Sequence, residues 1–153
     1  MDTTLIVAAN AGRARFFIEQ GGAAHWREIH DMVNEAARLR AADLETDRMG
    51  PTSAGKSVHN TGGPTPNKTY EPAQTPEEHE TEQFARDVAG FLAQCQRDGR
   101  FQQLVLSAAP QFLGVLRKLL APQLKPLLRQ EINKDYTALG PDQLREQISQ
   151  PQG

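Results

Sequence analysis

Residues 3–10 read TTLIVAAN, and how these residues are read decides the fold. From Leu5 to Ala9 the run is apolar without interruption, and Thr3, Thr4, Ile6 and Val7 are β-branched. An alternating strand would show water a polar residue at every second position, and here neither face is polar. The stretch therefore predicts a strand buried on both sides, at the middle of a sheet covered by helices. AGR (11–13) follows as a tight turn, with Gly12 free to take positive φ. ARFFIEQ (14–20) reads as a second strand, GGAA as a second turn and HWREIHDMV (25–33) as a third strand. Three strands joined by short connections form an antiparallel meander.

Beyond the meander the periodicity changes. EAARLRAADLE (35–45) reads as a short helix. Residues 48–75 hold Gly50, Gly55, Gly62, Gly63, Pro51, Pro64, Pro66 and Pro72 with almost no apolar side chains, which reads as a long Gly/Pro-rich loop. Thr75, Pro76 and Glu78 then spell N-cap, first helical position and capping box. Phe84, Val88, Phe91, Leu92 and Cys95 recur at helical spacing on one face, and Gly99 ends the helix. QLVLSA (103–108) is a short buried strand. Pro110 opens a helix that turns Phe112, Leu113, Leu116, Leu119 and Leu120 inward. A short helical piece after Pro122, a fifth strand near 129–135 and a last helix from Pro141 bearing Leu144 and Ile148 complete the chain. The order β-β-β-α-β-α-β-α implies an α/β domain spanning 1–153, with a five-stranded mixed sheet and helices packed on it.

The chain has 153 residues and a formal charge of −2, so no global charge demands nucleic acid or membrane. Locally the charge is uneven. Residues 71–87 carry six acidic side chains against Arg86, and residues 110–134 carry five basic ones against Glu131. A single cysteine, Cys95, excludes an internal disulfide framework and suits a reducing compartment. MDTTLIVAAN lacks the basic start and long apolar run of a signal peptide, and no stretch is long enough to insert in a membrane. The expected location is the cytoplasm.

GPTSAGKS (50–57) matches the phosphate-loop pattern G-x-x-x-x-G-K-[ST], with Lys56 and Ser57 in the functional positions. The pattern works when a buried strand enters the loop and a helix leaves it. Here ADLETDRM precedes it, and Pro64 and Pro66 follow it, so both flanks fail and a phosphohydrolase is only the last-ranked alternative. His25, His30, His59 and His79 show no metal-ligand spacing, and the EEHETE carboxylates (77–82) suit the start of their own helix. Cys95 falls on an apolar helix face. TLIVAAN offers no carboxylate for a two-metal nuclease. No catalytic set, metal or cofactor emerges, and a binding role is expected. Arg13 and Arg15 beside the turn, Lys56 and Lys68 in the loop, and Arg117 with Lys118 on a helix are the groups suited to phosphate backbones or a partner.

VAANAGRARFF, YEPAQTPEEHETEQFARDVAGFL, LVLSAAPQFLGVLRKLL and INKDYTALGPDQLREQI, taken in order, resemble the bacterial host-attachment protein family. Its members are described as required for attachment to host cells, and the family is regarded as similar to the middle domain of archaeal and eukaryotic peptide-chain release factors. That resemblance implies a ribonuclease-H-like sheet, in agreement with the element order. Release factors use Gly-Gly-Gln in a mobile loop, whereas this chain has Gly62-Gly63 followed by Pro64, so the catalytic tripeptide is absent. Where many members carry Arg-His before the Glu-Pro step, Lys68-Thr69 stand here. The expectation is a non-catalytic module associated with ribosome or RNA, or a protein-partner adaptor acting indirectly in attachment.

Overall fold

The structure, a computed structural model, describes residues 2–21, 25–49 and 74–150. Strand β1 (Thr3–Ala9) is buried from Thr4 onward on both faces. It pairs antiparallel with β2 (Arg13–Gln20), which pairs antiparallel with β3 (Arg27–Val33). On its other side β1 runs parallel to β4 (Gln103–Ala108), and β4 runs parallel to β5 (Leu128–Ile132). The sheet order is β3-β2-β1-β4-β5, with β2 alone antiparallel to the rest, and this is the ribonuclease-H-like mixed sheet expected.

The two faces of β1 feed two separate cores. Leu5, Val7 and Ala9 point to one, with Phe16 of β2 and Leu104 and Leu106 of β4. Helices α2 (Pro76–Arg97) and α3 (Pro110–Leu119) close it with Phe84, Val88, Leu92, Phe112 and Leu116. Ile6 and Ala8 point the other way, into a smaller core with Phe17, Trp26, Val105 and Ile132. That core is covered by Leu144 and Ile148 of α4 (Pro141–Ser149). Each fully buried Leu or Phe contributes roughly 1.5–3 kcal/mol, so the uninterrupted apolar run of β1 serves both layers at once.

Helix α1 (Glu35–Met49) is longer than the segment read from sequence, and its Arg40 pairs with Glu80 of α2. Helix α2 starts as its sequence specifies. The Thr75 hydroxyl accepts from the Glu78 N–H and the Glu78 carboxylate accepts from the Thr75 N–H. Asp98 is its C-cap, and Gly99 follows at φ +71°, a conformation side chains rarely adopt. Pro122–Leu127 form a 3₁₀ helix, and β5 then begins at Leu128 and ends at Ile132, earlier than the 129–135 expected. The LKPLLRQEIN stretch carries no period that separates 3₁₀ from strand, so its boundary comes from pairing with β4. Gly12 differs too: it stays out of the positive-φ region, where Gly21 and Gly99 lie. The Asn10 side chain holds that turn instead.

Candidate functional site

Asn10 ends β1. Its Oδ1 accepts from the backbone N–H groups of Gly12 and Arg13, at 2.8 and 2.9 Å. Its Nδ2 donates to Asp135 Oδ2 at 2.9 Å and to Thr137 Oγ1 at 3.1 Å. One side chain thereby fastens the β1–β2 turn to the segment between β5 and α4. Buried Ser107, near the end of β4, donates to the carbonyl of Lys134 at 2.8 Å and anchors the same segment. Burial pushes the Asp135 carboxyl up, but hydrogen bonds from the Thr137 hydroxyl, Asn10 and the Thr137 N–H outweigh it and leave the group below its ordinary value.

Beside this anchor lies a groove of about 760 Å³. Ala11 of the β1–β2 turn, Ala109, and Phe112 and Val115 of α3 form its apolar floor, Gln74, Thr81 and Gln111 also line it, and Glu77, Glu78 and Glu82 of α2 form a rim. Its position follows from topology. The chain leaves β1 toward β2 and leaves β4 toward β5, on opposite sides, so a crevice opens at the carboxyl ends of these two parallel neighbours. Ligand sites of open α/β sheets gather at such a point. The Arg86 and Gln74 side chains donate to Glu82 and hold its carboxyl below the usual range. The N-cap of α3 is Ala109, which has no side-chain group to cap the helix, so the first-turn N–H groups stand at the groove.

The pattern of the family described as "Protein required for attachment to host cells" matches residues 5–148. The chain belongs to the host-attachment family. No curated protein matches it by sequence. Among solved structures it is similar to the type II variant of the Ppx/GppA phosphatase from Aquifex aeolicus, at 12% identity and a TM-score of 0.38. The alignment covers 86% of the present chain and 36% of the phosphatase, so this host-attachment chain spans about a third of that protein's length.

Among the described residues, the basic groups singled out in this host-attachment sequence do not converge. Arg13 makes a two-pronged pair with Asp31, at 3.0 and 2.9 Å, which raises the arginine pKa and lowers that of the aspartate. Arg15 is only 11% exposed. Its Nε and Nη2 hold Glu28, its Nη1 donates to the carbonyls of Thr137 and Leu139, and its guanidinium lies 5.0 Å from the centre of the Phe17 ring. Those contacts turn Arg15 inward, away from any phosphate at the surface. Arg117, on the helix layer of the opposite face, pairs with Glu131 through Nε and Nη2. Lys118 is exposed. Lys56, Lys68, Gly62, Gly63 and the 50–57 motif lie outside the described residues, as does most of the loop read over 48–75; at its amino end, residues 48 and 49 belong to α1.

Sequence reasoning placed Asn10 at a strand end and Phe112 in the core, and missed that Phe112 and the turn Asn10 holds, through Ala11, border one site. The small residues Ala11, one place beyond Asn10 at the end of β1, and Ala109, directly after β4, were the available signal. The Cys95 expectation fits the structure, where burial pushes its thiol up, against the nearby Arg100.

Proposed function

We propose that this host-attachment chain works as a non-catalytic, cytoplasmic binding module that acts on attachment through a protein partner. The observation that carries this reading is the groove at the carboxyl ends of β1 and β4, an apolar floor beneath a carboxylate rim. An apolar cleft with few polar groups is the ordinary form of a binding site. The carboxylates repel a phosphate backbone, and Arg13, Arg15 and Arg117 are already neutralised by Asp31, Glu28 and Glu131.

A second reading, association with ribosome or RNA after the manner of release-factor middle domains, is favoured by one observation. Lys118 of α3, Lys125 of the 3₁₀ helix, Arg129 of β5 and Lys134 just after it follow one another closely along the chain, and none has an acidic partner within ion-pair distance among the described residues. Cations so placed suit phosphates.

Co-sedimentation of the full chain with ribosomes, at low and moderate salt, separates the two. The adaptor reading expects the protein at the top of the gradient at both salts. Ribosome-bound protein that is released by salt, and lost when Lys118 and Lys125 become alanine, establishes the RNA reading instead, because phosphate contacts release counterions.

A further inference from the structure

We propose that the groove between the first turns of α2 and α3 takes an extended segment of the partner protein in which apolar side chains alternate with lysine or arginine. This rests on the adaptor reading and names what the adaptor grips. Three features select that chemistry. The floor of Ala11, Ala109, Phe112 and Val115 removes an apolar side chain from water. Three carboxylates, Glu77, Glu78 and Glu82, line the groove, and the cations nearest them, Arg86 and Arg40, are already paired with Glu82 and Glu80, so the rim attracts a basic segment and repels an acidic one. Glu77 is exposed and has no hydrogen-bond or ion-pair partner among the described residues. Glu78 uses only one carboxylate oxygen in the helix cap. The uncapped start of α3 completes the match. Its first-turn N–H groups need acceptors, and the backbone carbonyls of an extended segment are acceptors that carry no charge for the rim to repel. A nucleotide or phosphate would suit those N–H groups but not the three carboxylates beside them.

The test uses the full-length protein and a fluorescein-labelled peptide, Gly-Lys-Leu-Lys-Leu-Lys-Gly, read by anisotropy and by amide chemical shifts. The expected result is saturable binding that moves the amides of Ala11, Gln111 and Phe112. Serine in place of leucine, or glutamate in place of lysine, should weaken the peptide at least about tenfold. Glu77→Lys should weaken it about tenfold, and the conservative Val115→Thr several-fold, with folding of both variants checked by circular dichroism. No binding, equal binding of the glutamate peptide, or shifts confined to another surface overturns the proposal. So does concentration-dependent self-association that moves the same amides, since the occupant is then a second copy. A photo-crosslinker at Gln111 and another at Lys125 separate this failure from that of the underlying reading. A protein captured only from position 125 keeps the adaptor and removes the groove as its grip. Ribosomal RNA captured from 125, with nothing from 111, removes both.

Discussion

Asn10 spends both ends of its amide on the fold: two backbone N–H groups reach its oxygen, and Asp135 and Thr137 accept from its nitrogen. Asn10→Ala leaves these groups to water or to nothing, and urea unfolding should show a loss of about 2–3 kcal/mol. Acidity should alter that difference. The folded Asp135 carboxyl has a pKa below that of an ordinary aspartate, so its charge contributes stability above the ordinary value, and the contribution is lost as pH falls through the folded value. Wild type loses this part of the latch below about pH 4 and Asn10→Ala has less of it to lose, so the gap between them should narrow there. A gap independent of pH between 3 and 7 would show that Asn10 acts on the turn alone. Arg15→Lys tests a second residue of this kind. An ammonium cannot serve Glu28 and the carbonyls of Thr137 and Leu139 in the fork geometry that Arg15 uses. The expected cost is about 2 kcal/mol by the same assay, for a pair this far from water. Neither role was legible in the sequence. Asn10 showed only as a neutral strand end and Arg15 only as a cation near a turn, because the partners in the segment after β5 lie 122 to 127 positions away.

At the scale of elements, legibility followed how much of the cause was local. Helix α2 was readable to its first residue because Thr75, Pro76 and Glu78 are a cap in themselves and Phe84, Val88, Leu92 and Cys95 give the face its period. Strand β1 was readable because burial on both faces leaves no polar position from Leu5 to Ala9. Strand β5 was placed late because its limits depend on β4, where the register shifts between Leu104 and Val105. The groove was hinted at only by small residues beyond two strand ends, since it needs the β1–β2 turn and two helix starts that meet only across the sheet. The local and packing contributions to α2 can be measured separately. Thr75→Ala removes the cap, and thermal unfolding should show a loss of about 1 kcal/mol. Leu92→Ala empties a fully buried site and should cost about 2–5 kcal/mol. If the cap substitution costs as much as the core one, α2 is held by its end rather than by its face.

The whole molecule is asymmetric across its sheet. One face carries α2 and α3 over a continuous core. The other, among the described residues, carries α4, which reaches it through Leu144 and Ile148. A helix of nine residues is marginal alone, so α4 stays folded only while docked. It should therefore belong to the part of the structure that opens first. Trp26, the one tryptophan, reports on this: it is 6% exposed, packs in the core that α4 covers, and donates from its indole nitrogen to Glu19. Leu144→Ala shrinks the contact on which α4 depends. In that variant the emission of Trp26 should shift to the red at a lower urea concentration than the loss of far-ultraviolet dichroism, which is dominated by α1, α2 and α3. Wild type should show a smaller separation of the same sign. Coincident transitions in the variant would mean that the two layers unfold as one cooperative unit, with the sheet between them transmitting the loss. Separate transitions would place the groove, which is built on the α2–α3 side, on the more persistent layer, so the proposed peptide binding should survive at urea concentrations where Trp26 is already exposed.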